Sequence, residues 1–65
     1  MNKVYLIWLS NDDIEPMVVG IATNKEKANI MRDKLASTDG FEFNDYEIVE
    51  MEFDTVIIDD VEYKF

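Results

Sequence analysis

The fold is decided where a strand passes into a helix, in residues 19–28, VGIATNKEKA. Thr23 and Glu26 have the spacing of a capping box, in which each side chain accepts a hydrogen bond from the other residue's backbone amide. Such a pair satisfies two of the amide groups that the first turn of a helix leaves unpaired. The pattern therefore predicts a helix over residues 24–36.

The predicted helix has one apolar face, which would pack on a sheet because its members recur three and four residues apart. That face consists of Ala28, Met31 and Leu35. Ile30 falls on the opposite side of the helix, among lysines. Residues 37–40 are expected to end the helix, since Gly40 readily adopts the left-handed conformation that often follows a last helical turn.

Two strands are predicted before the helix. Residues 4–9 form an unbroken apolar run with β-branched and aromatic members, which is typical of a central strand covered on both faces. Residues 10–13 are polar and predict a turn, which Pro16 closes because it has no amide hydrogen for a sheet ladder. Residues 17–22 predict the second strand, and Gly20 within it indicates a bulge or a close approach of the backbone.

After the helix, residues 41–54 predict one long strand. Its apolar residues change parity along the chain, which predicts a bulge or a change in the surface that covers the strand. Tyr46 and Ile48 share one face, and the other face carries Val49, Met51 and Phe53. The remaining chain predicts a hairpin, with strands at 55–58 and 61–65 and a two-residue loop at Asp59 and Asp60.

Together these elements predict an α+β fold, an antiparallel sheet of about five strands in the order ββαβββ with one helix packed on one face. A chain of 65 residues is expected to form a single domain, 1–65. One helix cannot cover the whole sheet, so the other face is either solvated or an interface. Trp8 and Phe53 are predicted to lie in the core, whereas Tyr63 and Phe65 fit a core or a contact surface equally well.

The composition is strongly acidic, with 15 acidic and 6 basic residues, a formal net charge of −9 and no Cys or His. Residues 1–34 hold five acids and five bases, so the net charge falls in residues 35–65, where ten acids accompany one base, Lys64. Direct binding to nucleic acid is not expected, because phosphate contacts need Lys and Arg. An acidic half favours instead a protein partner with a basic surface.

The same composition bears on the compartment. The absence of Cys fits the reducing cytoplasm of a bacterial or host cell. No apolar run approaches the about 20 residues of a membrane span, so no contact with a membrane is expected.

No catalytic role, cofactor or metal site is predicted. Nucleophilic triads and thiolate or imidazole zinc sites need His or Cys, and the two glycines form no phosphate loop. With so many acids, a pair of carboxylates at a glycosidase distance would arise by chance and does not indicate an enzyme. Two acidic turns could hold a hard cation, but their spacing does not match a calcium loop, which favours solvated carboxylates. The acids concerned are Asp12, Asp13 and Glu15 in one turn, and Asp59 and Asp60 in the other.

Acidic residues of the second half form the candidate partner-binding surface, since Glu50, Glu52 and Asp54 share one predicted strand face. Carboxylates on one face of a strand repeat about every 6.7 Å. Phosphates along a nucleic-acid strand repeat on a comparable scale, so the row would suit a DNA mimic that blocks a nucleic-acid-binding protein. A plainly solvated sheet face is the alternative that composition alone favours. The candidate residues are Glu47, Glu50, Glu52, Asp54, Asp59, Asp60, Glu62 and Tyr63.

Over most of its length the chain resembles small uncharacterised α+β proteins of bacteria and their phages. The likeness lies in residues 3–7, in the pattern Gly-x-x-Thr-x-x-Glu-x-Ala that begins at Gly20, in Leu35 and in residues 46–50. The final hairpin, from Thr55, lies outside it. The resemblance implies a phage or mobile-element context, in which many small acidic proteins bind and disable a host or defence protein. It implies no catalytic residues.

We therefore expect a small acidic protein-binding module of phage or mobile-element type that inhibits or modulates a host or defence protein. Two alternatives stay open. One is a DNA mimic, and the other is a structural homodimer joined through the uncovered sheet face or through the terminal hairpin.

Overall fold

The computed structural model describes residues 3–65, which form one helix and five strands. The predicted α+β class and the element order ββαβββ are confirmed. The strands make two antiparallel sheets, one of three strands in the order β2-β1-β3 and one of two strands, β4-β5. In chain order the elements are β1 Lys3–Asn11, β2 Ile14–Ala22, α1 Lys25–Thr38, a short 3-10 helix Phe43–Asp45, β3 Tyr46–Glu52, β4 Thr55–Ile58 and β5 Val61–Lys64.

The prediction of a single five-stranded sheet is wrong. Within residues 3–65, β4 pairs with β5, and neither of them continues the ladder of β3. The reason lies in the turn before β4, where Asp54 adopts a left-handed conformation with φ 58°. The carbonyl of Asp54 accepts a hydrogen bond of 2.8 Å from the backbone amide of Phe65. This bond closes the base of the hairpin on the β5 side, and the turn carries β4 away from the edge of β3.

The predicted central position of this strand is confirmed, because β1 runs antiparallel to β2 on one side and to β3 on the other. The predicted cover on both faces is wrong, since in residues 3–65 the helix packs on one face only. The odd-numbered residues of β1 face the helix, and among them Ile7 is fully buried and Leu9 nearly so. Ile7, Leu9 and Tyr46 form the core cluster, against which Met31 and Leu35 of α1 pack. The core therefore lies between the helix and one face of the three-stranded sheet.

β2 begins at Ile14, three residues before the expected strand 17–22, and it runs through Pro16. An edge strand accommodates this proline, because one side of its backbone makes no ladder bonds. The early start follows from a tight turn. The side-chain oxygen of Asn11 accepts hydrogen bonds from the amides of Asp13 and Ile14, at 2.8 and 3.0 Å.

Both features expected of Gly20 are confirmed. The register between β1 and β2 shifts between the pairs Ile7–Gly20 and Trp8–Val18, which leaves Val19 as an extra residue in β2. Gly20 also approaches the core closely, since a Cβ at this position would lie 3.1 Å from the Cδ1 of Ile7. The bulge and the missing side chain together let the edge strand follow the curvature of the core.

The predicted helix is confirmed, but its cap is different. Asn24 is the N-cap residue, with an extended backbone, and its Oδ1 accepts a hydrogen bond of 2.8 Å from the amide of Lys27. The capping box between Thr23 and Glu26 is therefore wrong. Thr23 and Asn24 are adjacent, and Asn is at least as good an N-cap as Thr. At the other end, Gly40 has a φ of 81°, as expected for the residue that follows the helix.

The apolar face of the helix lies where the spacing predicts. Ala28 is fully buried, and Met31 and Leu35 pack on the core cluster. Ile30 lies outside this buried face and is 60% exposed, as expected from its position among the lysines.

The strand predicted over residues 41–54 is shorter than expected, because a 3-10 turn precedes β3. The pairing of β3 with β1 runs without a shift from Glu52 to Tyr46, so no bulge explains the change in apolar parity. The change arises because the helix covers only part of the strand, which was the other predicted cause. Phe53 lies in the turn after β3 and is exposed, so its predicted core position is wrong.

The molecule is flat, with principal dimensions of 37 × 26 × 13 Å. Its radius of gyration of 12.6 Å exceeds the about 11 Å expected for a compact chain of this length. Its accessible surface is 5153 Å², whereas a compact monomer of this mass exposes about 4300 Å². The excess of about 850 Å² reflects an uncovered sheet face and a projecting hairpin. No helix in residues 3–65 is long and apolar enough to cross a membrane.

Candidate protein-interaction surface

The acidic row of β3 is divided between the two sides of the sheet. Directly paired residues of antiparallel strands share a face. Glu50 and Glu52 pair with Tyr5 and Lys3, so the two glutamates share one face, as the sequence predicted, and that face is the helix side. Glu47 lies on the opposite side.

The other candidate residues belong to the hairpin and its turns. Asp54, expected on the same face as Glu50 and Glu52, lies in the turn between β3 and β4. Asp59 and Asp60 form the two-residue loop of the hairpin, and all three aspartates have positive φ angles, from 50° to 65°. Positive φ at both loop residues is the geometry of a type I′ turn, which matches the twist of the flanking strands. The predicted hairpin and its loop are thus confirmed. The last two candidates are on β5, Glu62 and Tyr63.

Glu50 already has a cationic partner. Its Oε2 lies 3.1 Å from the Nζ of Lys3, with both side chains about half exposed. Hydrogen bonds from Lys3 and then from the Tyr5 hydroxyl lower the pKa of Glu50, and the bond to Glu50 raises the pKa of Lys3. Burial, followed by the hydrogen bond to Glu50, raises the pKa of Tyr5. The carboxylate of Glu50, which the sequence predicted to bind a partner, therefore already makes contacts within the chain.

The single base of the second half forms ion pairs with two more carboxylates. The Nζ of Lys64 lies 3.2 Å from an oxygen of Glu52 and 3.7 Å from an oxygen of Glu62. Three of the seven candidate acids therefore have a lysine partner. Of the same seven acids, Glu47 and the aspartates in the two turns that flank β4 form no ion pair with a lysine of residues 3–65.

The terminal hairpin has one apolar face, built from the pairs Val56–Tyr63 and Ile58–Val61. All four side chains are between 42% and 54% exposed. The opposite face of the hairpin carries Thr55, Ile57, Glu62 and Lys64.

The hairpin projects from the body of the molecule. Its strands pack on each other and make only sparse contacts with the rest of the described chain. Lys64, on the more polar face of the hairpin, contacts Glu52 of β3. The apolar face is bounded by Asp59 and Asp60 at the tip and by Asp54 at the base.

A second apolar surface, which we call the open sheet face, lies on the side of the three-stranded sheet away from the helix. Its side chains follow from the pairs that the even-numbered residues of β1 make with both neighbours. The sequence predicted an uncovered face but not its apolar character, although the unbroken run at residues 4–9 and the parity change in β3 both pointed to it. The open sheet face consists of Val4, Leu6, Trp8, Val18, Ile21, Val49 and Met51.

A cleft of about 490 Å³ lies on the helix side, lined by both cationic and acidic residues, among them Lys25, Arg32 and Glu50. The guanidinium of Arg32 lies 4.3 Å from the centre of the Phe43 ring. Across residues 3–65, no three His, Cys, Asp or Glu side chains converge as metal ligands would.

In comparisons with known proteins, no protein-family model, no curated protein and no solved structure matches this chain. The resemblance to small bacterial and phage proteins stays a prediction. The two exposed apolar surfaces, on the hairpin and on the sheet, are the features from which a function can be argued.

Proposed function

We propose that this chain is a small protein-binding module that contacts its partner through the apolar face of the hairpin. The single observation that carries the proposal is the exposure of the four side chains on that face, from Val56 to Tyr63. In keeping with the resemblance to phage proteins, the partner is a bacterial host or defence protein in the cytoplasm, which the bound module inhibits or modulates. We assign no catalytic step to the module.

The energetics of the hairpin favour a partner. An isolated two-stranded hairpin is marginally stable in water and needs a surface on which to pack. Covering each half-exposed apolar side chain is worth about 1 kcal/mol, so the four together supply on the order of 4 kcal/mol before the cost of association. Phe53 and Phe65, near the base of the hairpin, are exposed as well. A partner thus stabilises the segment that this chain leaves unsupported.

The charges around the strip specify the chemistry of the partner. Asp59 and Asp60 lie at the tip and Asp54 at the base, so carboxylates bound the apolar face at both ends. A surface with an apolar groove and flanking Lys or Arg residues complements this layout, because opposite charges steer the encounter and reject partners of the wrong sign. The partner is therefore a protein with a basic rim.

A DNA mimic is the less favoured alternative. Such a mimic needs a regular array of unpaired carboxylates, whereas lysines occupy Glu50, Glu52 and Glu62. If the DNA-mimic interpretation were correct, the partner would be a nucleic-acid-binding protein, and charge reversal at Glu50 and Glu52 would abolish its binding. The hairpin contact predicts that the same reversal leaves binding largely intact.

Two neighbouring isoleucines provide a matched test of the proposal. Ile57 and Ile58 are adjacent, 47% and 54% exposed, and lie on opposite faces of the hairpin. Ile57→Lys and Ile58→Lys change the net charge equally. The two variants therefore differ only in which face of the hairpin they alter. Each tagged variant and the native chain would be used to capture proteins from a bacterial lysate, at about 50 mM and about 500 mM salt.

We expect a partner that the native chain and Ile57→Lys retain and Ile58→Lys loses. We also expect weaker retention at the higher salt concentration, because screening weakens the contact between the acidic turns and a basic rim. Equal loss in both variants would show a general effect of the added charge. Equal retention would place the contact elsewhere on the chain, and either result would refute the proposal.

A further inference from the structure

The open sheet face is unusual for a solvated surface. Antiparallel sheets with one face in water usually alternate apolar and polar residues along each strand. Here the cross-strand pairs Val4–Met51, Leu6–Val49 and Leu6–Ile21 are apolar on both sides. Among the paired residues of this face, Glu47 is the one that carries a charge. An apolar surface of this kind marks an interaction site.

We infer that a second copy of this chain covers the open sheet face, so that two sheets pack face to face. Paired sheets of this kind lie about 10 Å apart and interdigitate their side chains. A flat apolar face with little charge is self-complementary and fits the two-fold symmetry of the commonest protein dimers. The inference does not depend on the proposed function, because no residue of the open sheet face belongs to the hairpin.

Both edge strands of the three-stranded sheet disfavour pairing with a second copy, so self-association is expected at the open sheet face. An exposed edge strand can pair with a second copy unless prolines, bulges or charges block it. The edge strand β2 contains Pro16 and the bulge at Val19. The edge strand β3 presents Glu47, Glu50 and Glu52. Edge-to-edge pairing is therefore disfavoured on both sides of the sheet.

The available area suffices for a specific but weak dimer. The smaller specific interfaces bury about 600 Å² on each partner. The excess surface of the chain, about 850 Å², is of the same order. Interfaces at the low end of the range are typical of weak complexes. The dimer is thus expected to form and dissociate with concentration.

Charge makes the salt dependence of the dimer distinctive. Two copies carry −9 each, but the open sheet face contributes only Glu47 from each copy to the contact. The repulsion therefore acts mostly between peripheral charges, which salt screens over about 8 Å at physiological ionic strength. Added salt strengthens the dimer, whereas it weakens the binding of a basic partner to the hairpin.

Another pair of isoleucines tests the inference. Ile21 on the open sheet face is 63% exposed, and Ile30 on the outer face of the helix is 60% exposed. Both tolerate a lysine without loss of core packing, because most of each side chain already lies in water. The native chain, Ile21→Lys and Ile30→Lys would be compared by sedimentation equilibrium from about 1 μM to about 1 mM, at low and high salt. Fluorescence provides a second readout, since Trp8 is the only tryptophan and lies on the open sheet face.

We expect the native chain and Ile30→Lys to dimerise alike, and Ile21→Lys to raise the dissociation constant at least about tenfold. The emission of Trp8 should shift to longer wavelength as the native dimer is diluted. A monomer at every concentration would overturn the inference. A dimer that Ile21→Lys leaves intact would also overturn it. If Ile58→Lys abolished such a dimer, the contact would belong to the hairpin. None of these results bears on the capture experiment, which compares two variants of the hairpin.

Discussion

Shortening Ile7 to valine removes one methylene from the largest side chain that is completely buried. The transfer term for one buried methylene is about 0.8 kcal/mol. Because the core around Leu9 and Tyr46 relaxes only partly into the cavity, the full loss in the free energy of unfolding is about 1 kcal/mol. For a domain of this size, such a loss lowers the Tm by about 4–8 °C.

The matched control is Ile21→Val on the open sheet face. Ile21 is 63% exposed, so only about a third of the same transfer term applies, about 0.3 kcal/mol. The expected fall in Tm is then about 1–2 °C. Thermal unfolding followed by circular dichroism, at a concentration low enough to keep the chain monomeric, measures both variants directly.

The comparison tests the assignment of the two sheet faces. If Ile21→Val lowers the Tm of the monomer as much as Ile7→Val does, the open sheet face is covered within the chain, and the reasoning is refuted. At high concentration, the dimer should increase the effect of Ile21→Val and leave that of Ile7→Val almost unchanged.

Three further predictions concern the helix cap, the hairpin loop and the ion pair on β3. Asn24→Ala should lower the free energy of unfolding by about 1 kcal/mol, because the N-cap acceptor is lost, and Thr23→Ala by much less; urea unfolding of both variants distinguishes the two. Asp60→Gly should stabilise the hairpin by up to about 1 kcal/mol, since φ is 65° there, and unchanged hydrogen exchange in β4 and β5 would contradict this. The lowered pKa of Glu50 means that its stabilisation is present above its ordinary pKa and is lost as the pH falls through the lowered value. Glu50→Gln should therefore lose less stability than the native chain between about pH 6 and about pH 3, and parallel losses in thermal melts would exclude this role. The pKa of Lys3 is raised, so the contribution of Lys3 to stability is lost in the alkaline range, as the pH rises through the raised value.

Local patterns were sufficient for most of the secondary structure. The spacing of Ala28, Met31 and Leu35 predicted the helix and its buried face, since those contacts depend only on the helical repeat. The N-cap was assigned wrongly because Thr23 and Asn24 are both residues that cap helices well. The choice between them depends on where the preceding strand, β2, ends.

The candidate site was predicted less well than the fold. Composition indicated an acidic second half, but the pairs Lys3–Glu50 and Lys64–Glu52 join residues that are distant in the chain. Those pairs depend on the register of β3 against β1 and on the direction of the hairpin. Neither quantity is encoded in the spacing of acids along the sequence.

The sequence by itself determined the element order, the hairpin loop and the large negative charge, because each depends on residue type or on short-range spacing. Only the tertiary structure decided that the hairpin leaves the main sheet at Asp54 and that the face opposite the helix is largely apolar. Strand pairing is a long-range choice, made by the backbone turn before β4 and by the closure of the hairpin on Phe65. The exposed surfaces from which the function is argued follow from that choice, since the same apolar residues in a single covered sheet would have been core.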